Sequence, residues 1–107
     1  MIYFNGDIYE GSWELDKRNG KGRLKELKVG VYVGEFSEDK KNGKGRLYDE
    51  AKDEIYEGEF NNDKKNGEGT IVRRNGEVIS GDFRNDFFEG KQKFEKTLSK
   101  QDVELYF

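Results

Sequence analysis

Between Tyr9 and Leu24 the chain reads Tyr-Glu-Gly-Ser-Trp-Glu-Leu-Asp-Lys-Arg-Asn-Gly-Lys-Gly-Arg-Leu. Tyr9, Gly11 and Trp13 alternate with Glu10 and Ser12, and Gly20, Gly22 and Leu24 alternate with Lys21 and Arg23. A period of two marks a half-buried strand. The stretch therefore predicts a β-hairpin with Glu14 to Asn19 as its loop. In that register Trp13 faces Gly20, Gly11 faces Gly22 and Tyr9 faces Leu24.

The pattern returns from Tyr32 to Leu47, from Tyr56 to Ile71 and, in degenerate form, from Ile79 to Phe94. The same register pairs Phe36 with Gly43, Gly34 with Gly45 and Tyr32 with Leu47. It then pairs Phe60 with Gly67, Gly58 with Gly69 and Tyr56 with Ile71. In the last copy Phe83 faces Gly90 and Ile79 faces Phe94, while Gln92 breaks the glycine pair. Self-similarity at a fixed period of this length is the signature of a repeat architecture. One face becomes aromatic and glycine. The other is charged, with Glu10 facing Arg23, Glu35 facing Lys44 and Asp82 facing Lys91; Glu59 facing Glu68 is a like-charge exception.

The glycines leave room for a ring to lie across the backbone, as in aromatic rescue. Gly45→Val is accordingly expected to cost several kcal/mol, and the same change at Gly30, in a link between units, to cost less. Arg74-Asn75-Gly76 suits a three-residue turn that pairs Ile71 with Ile79; the other links are too irregular to assign a register. Residues 1–8 resemble the end of a further unit. The prediction is an all-β, elongated, single-layer antiparallel sheet of stacked hairpins, twisted, over residues 1–94. It comprises a half-unit at 1–8, units starting at 9, 32 and 56, and a degenerate unit at 79. Residues 95–107 form a C-terminal cap or docking segment, where Ser99 followed by Asp102 reads as a helix N-cap.

Composition narrows the function. Only 32% of the 107 residues are apolar and 40% are charged, yet 14% are aromatic, 14 are glycine and none is proline. Large rings bury much area per residue, which argues for a folded chain, and nothing forbids continuous strands. The net charge of −3 is small and mixed in sign, so there is no global drive toward nucleic acid. With no histidine and no cysteine, the commonest general base, thiol nucleophile and metal ligands are absent. Ser12, Ser37, Ser80 and Ser99 have no evident base. The glycine pairs recur in every hairpin and lack the third glycine of a nucleotide fingerprint. A calcium loop ending at Gly67 fails because Lys64 holds a ligand position. No catalytic residue, cofactor or metal is expected.

These residues resemble the MORN repeat, the membrane occupation and recognition nexus motif, whose pattern is Tyr-x-Gly-x-Trp/Phe, a loop, then Gly-x-Gly. The resemblance spans roughly residues 1–94. Asp16, Asp39 and Asp63 stand where the family often has a loop glycine, and Asn19, Asn42 and Asn66 where it often has histidine. The resemblance implies a scaffold or targeting role, with protein partners, phospholipid contact and a cytoplasmic, cytoskeletal or membrane-associated location.

Two surfaces are candidates. A single sheet has one apolar face, and an exposed apolar strip marks an interaction site. Tyr9, Trp13, Tyr32, Phe36, Tyr56, Phe60 and Phe83 would line a groove that holds a protein segment, such as a helix. Alternatively, loop residues Lys17, Arg18, Lys40, Lys41, Lys64 and Lys65 form a basic ridge for anionic phospholipid headgroups. Open sheet edges also admit self-association.

Overall fold

The computed structural model describes the backbone of all 107 residues and the side chains of residues 1–89 and 97–107. Eight strands follow one another: β1 (Ile8–Glu14), β2 (Lys17–Glu26), β3 (Gly30–Ser37), β4 (Lys40–Asp49), β5 (Glu54–Asn61), β6 (Lys64–Arg73), β7 (Glu77–Arg84) and β8 (Phe87–Thr97). A helix, α1 (Lys100–Tyr106), ends the chain. The strands form one antiparallel sheet in chain order, and the molecule measures 42 × 28 × 19 Å. The single-sheet hairpin array stands as the sequence predicts, and so do the Tyr9–Leu24, Tyr32–Leu47 and Tyr56–Ile71 pairs and the three glycine pairs.

The hairpin loops differ from the expectation. Each is a two-residue turn, at Leu15-Asp16, Glu38-Asp39, Asn62-Asp63 and Asn85-Asp86, with φ between 48° and 73° at every position. Positive φ at both central residues is the type I′ geometry, whose twist matches the flanking strands. Strand pairing therefore continues to Glu14–Lys17, and Trp13 faces Arg18 rather than Gly20. The surplus residues form a bulge, where Ser12 stands opposite Asn19, Gly20 and Lys21. Phe36 likewise faces Lys41, Phe60 faces Lys65 and Phe83 faces Phe88.

The two glycines of each Gly-x-Gly have different causes. The first adopts φ of 88° at Gly20, 102° at Gly43 and 89° at Gly67, a conformation L side chains rarely adopt. The second is needed for space: a Cβ at Gly22, Gly45 or Gly69 would collide with the ring of Tyr9, Tyr32 or Tyr56 respectively.

Successive hairpins join in a consistent register. Gly20, Gly43 and Gly67 face Phe36, Phe60 and Phe83 of the next unit. The ring that the sequence places opposite the first glycine of its own unit thus belongs to the following one. Glu10 faces Arg23 inside the first hairpin as expected, but the other charge pairs move between units, as Lys21–Glu35 and Lys44–Glu59, with Glu68–Asp82 the like-charge pair and Asp82 facing Glu89 inside its hairpin. Ile71 pairs with Ile79 across the Arg74-Asn75-Gly76 turn, with Gly76 at φ 98°. Gly30 is not the loose position expected: a Cβ there would strike the Tyr48 carbonyl oxygen, a backbone atom, so the link is packed tightly.

Candidate interaction site

The aromatic residues form a continuous ladder. Ring centroids run Trp13–Tyr9 at 5.0 Å, Tyr9–Phe36 at 5.3 Å, Phe36–Tyr32 at 5.1 Å and Tyr32–Phe60 at 5.0 Å. They continue Phe60–Tyr56 at 5.2 Å, Tyr56–Phe83 at 4.9 Å and Phe83–Phe88 at 5.4 Å. All but the last are edge-to-face, the favourable arrangement of ring quadrupoles. Tyr9, Tyr32, Phe36, Tyr56, Phe60 and Phe83 are each at most 7% exposed. The expectation of an open aromatic groove therefore meets six rings already occupied with one another. Trp13, at 42% exposure, keeps a free face.

Each motif tyrosine also closes a bulge. The hydroxyls of Tyr9, Tyr32 and Tyr56 donate to the carbonyl oxygens of Ser12, Glu35 and Glu59 at 2.8, 2.8 and 2.9 Å. Those carbonyls belong to the residues where the register shifts. Burial favours the neutral phenol and raises all three tyrosine pKa values, to about 12 for Tyr56.

The basic pairs divide. Lys17, Lys40 and Lys64 are exposed. Arg18 lies over the Phe36 ring at 5.3 Å, Lys41 over Tyr32 at 5.6 Å and Lys65 over Tyr56 at 5.3 Å. Lys65 is only 9% exposed. These cations fold onto the ladder. They are strand residues, not loop residues, and half of the predicted ridge faces inward.

Their backbones hold neighbouring units together. The amides of Arg18, Lys41 and Lys65 donate to the carboxylates of Asp39, Asp63 and Asp86 at 2.7, 2.8 and 2.8 Å. The amides of those aspartates donate back to the carbonyls of Arg18, Lys41 and Lys65, each at 3.0 Å. The turns of the second, third and fourth units are thus each clamped to the unit before. The Arg18 amide, followed by the guanidinium, holds the Asp39 carboxyl below its usual pKa.

The opposite face carries a site that the charge pattern hid. Val31, Tyr48, Ile55, Val72 and Val78 form one row across β3 to β7. Ile55, Val72 and Val78 are at most 5% exposed. The C-terminal segment returns over this face. Ser99 caps α1 by accepting from the Asp102 amide at 3.2 Å, as its sequence predicts, and Val103 is the buried residue of the helix. Phe107 meets Tyr48 edge-on at 5.8 Å and lies 4.0 Å beneath the Arg74 guanidinium. Asp53 holds that guanidinium with two hydrogen bonds of 2.9 and 2.8 Å and accepts from the Tyr48 hydroxyl at 2.8 Å. Arg46 donates to the Tyr106 carbonyl at 2.6 Å.

A trough continues from α1 along this face. One recess of about 440 Å³ lies among Val33, Arg46, Tyr48, Ile55, Tyr106 and Phe107. It leads past Val33 and Arg46 into a second, of about 630 Å³, lined by Lys44, Glu57, Gly58 and Glu59. The signal for this site was in the sequence, as an apolar residue beside each core position, but unit one has Ile8 and Lys25 there. Among the described residues no cluster of three or more acidic groups is placed to hold a metal ion. Nor, among the described residues, is any helix long and apolar enough to cross a membrane.

A single antiparallel sheet of repeated hairpins, zipped by an aromatic ladder, defines a repeat architecture. The MORN-repeat family model matches residues 9–25, 32–50, 56–78 and 80–91, and the chain belongs to that family. No curated protein matches the chain. MORN repeats are protein- and membrane-interaction modules and are generally non-catalytic.

Proposed function

We propose that this chain is a non-catalytic scaffold that holds a short protein segment in the trough opposite the aromatic ladder. The observation that supports this is α1. The chain already seats a segment of its own there, through a buried valine, a ring beneath an arginine and a carbonyl bound by Arg46. Apolar anchors with a few aimed polar groups are how grooves take helical peptides. The ladder is the rigid frame that sets the trough's shape, and the mixed charges of Lys44, Glu57 and Glu59 suit a polar rim. Headgroup binding has less support, since only one cation of each basic pair points outward.

The test places a photo-crosslinking residue at Val33, which is 49% exposed in the trough, or at Lys64 on the basic edge. Each protein is exposed to an extract of its native source and to phosphatidylserine vesicles. The proposal expects a discrete polypeptide adduct from Val33 that survives raised salt, and no sedimentation with vesicles. Vesicle binding that fades with salt and is lost in a Lys17, Lys40, Lys64→Gln variant, without a Val33 adduct, would overturn it.

A further inference from the structure

The trough already holds α1, and it does so by few contacts. Val103 is the buried residue of the helix, and Leu105 faces solvent. Phe107 meets Tyr48 and Arg74, and the Tyr106 carbonyl accepts from Arg46. Val103 and Phe107 are four positions apart, so they share one face of the helix. A helix of seven residues is not stable in water without such docking. The chain just before it is fixed, because the Leu98 amide donates to the Gly76 carbonyl at 2.7 Å. Detachment of α1 therefore pivots between Leu98 and Ser99.

The sheet side of this contact is complete without the helix. Asp53 holds the Arg74 guanidinium and accepts from the Tyr48 hydroxyl, and Glu57 lies 3.4 Å from Arg46. Withdrawal of α1 thus strands no unpaired buried charge, the usual large cost of breaking such a contact. What it removes is apolar cover, since Tyr106 and Phe107 line the recess with Val31, Val33, Tyr48 and Ile55. Bare apolar surface in water is unfavourable, so the helix exchanges for another segment more readily than it leaves the face empty. Val33 stands half-exposed in the same recess. It gives an entering segment a first contact while α1 is still seated.

We infer that α1 is a built-in competitor for the trough, and that the partner segment displacing it is a helix of the same pattern. That pattern is an apolar residue, an aromatic residue four positions later, and a last-turn carbonyl free for Arg46. The inference rests on the segment-binding reading and adds to it the partner's chemistry and the site's regulation. The occupant is argued from the ligand that the site already holds. Arg46 and Arg74 also favour a helix that ends here, because cations complement the partial negative charge of a helix C-terminus. A site whose own ligand is seated for roughly nine-tenths of the time binds a second one about tenfold more weakly than an open site. The helix thus sets a threshold that only a well-matched segment crosses.

The probe is a peptide of residues 97–107, acetylated, amidated and fluorescently labelled. It is titrated by anisotropy against the full chain at concentrations up to about 1 mM. The comparison chain carries Val103→Asp and Phe107→Ala, which detach α1 and leave every sheet residue unchanged. That chain is expected to bind the peptide at least about tenfold more tightly than wild type. A peptide carrying the same two changes is expected not to bind, and Arg46→Ala added to the detached chain is expected to weaken binding. Hydrogen exchange on wild type decides the matter even where the detached chain fails to fold. The Val103 and Phe107 amides, bonded to the Ser99 and Val103 carbonyls, are expected to exchange faster than strand amides. Excess peptide is expected to speed them further while the strands stay protected. Equal binding to both chains, binding to neither, or α1 amides that open only with the strands would each overturn the inference. A Val33 cross-linker that captures a polypeptide equally from both chains would overturn it too, and would leave the segment-binding reading standing. No adduct from either chain would count against that reading alone, because the peptide titration does not pass through the extract.

Discussion

Tyr32→Phe isolates one atom of the repeat. The ring contacts with Phe36 and Phe60, at 5.1 and 5.0 Å, do not require the hydroxyl. What is lost is the 2.8 Å bond to the Glu35 carbonyl at the bulge. Tyr32 is 1% exposed, so water cannot replace the hydroxyl without opening the sheet. Leaving a buried acceptor unpaired costs about 1–3 kcal/mol. Glu35 itself is only half-buried, which places the expectation in the lower half, at about 1–2 kcal/mol. For a domain of this size that lowers the melting temperature by roughly 4–16 °C. Urea unfolding followed by circular dichroism measures it. Phe36→Ala serves as the upper reference, at about 3–5 kcal/mol for a buried ring. Tyr32→Phe indistinguishable from wild type, with Phe36→Ala strongly destabilised, would refute the bulge-closing role and leave the tyrosine as a ring alone.

The clamp has a matched test, since Asp63→Gly and Asp16→Gly alter the same turn position but, among the described residues, Asp63 accepts from a partner amide and Asp16 does not; in dilute solution the first is expected to lower stability by about 1–2 kcal/mol more than the second, and equal losses would argue against the clamp. High pH should unfold the array. The buried tyrosines have folded-state pKa values above the unfolded value near 10, so their contribution is complete below pH 10 and is lost as pH rises through about 12 for Tyr56. Melting curves read beside tyrosinate absorbance check this, and full ionisation near pH 10 with the fold intact would contradict the burial argument.

The legible part of the fold is the part written in residue spacing. Tyrosine opposite leucine and glycine opposite glycine follow from alternation, and Arg74-Asn75-Gly76 and Ser99 are local signals that act locally. The turns were hidden because Asn-Gly is the strongest short hairpin signal, and here Asn19-Gly20 forms the bulge instead. Nothing in the residue types of Leu15 or Glu38 announces positive φ. The glycines were seen as partners of a ring, but which ring depends on a bulge that shifts the register by two residues. For the site, the alternation identified the ladder but not its burial. That burial comes from one unit's rings packing against the next unit's, a property of the coiled sheet. The row from Val31 to Val78 was obscured by the charged residues that share its strands.

The repeated motif is also a set of halves. The tyrosine and the second glycine complete a contact inside one hairpin. The first glycine receives the following unit's phenylalanine, and the turn aspartate reaches back to the preceding unit's backbone. A lone hairpin therefore leaves the carboxylate, the amide it should bind and one side of each ring without partners, which is why such units are stable only when stacked. The fourth unit shows the same logic in its departures. Ile79 replaces the tyrosine, so no hydroxyl closes a bulge, and the hairpin takes register shifts at Val78/Ile79 and Ser80/Asp82 that the others lack. Phe88 replaces the cation, and its ring lies over Gly81, where a Cβ would collide with it. Gly81 is the counterpart of Gly11, Gly34 and Gly58, whose space the hydroxyls of Tyr9, Tyr32 and Tyr56 reach in the other units. Substituting the motif at this end changed which residue fills the gap but preserved the requirement that an aromatic ring fill it.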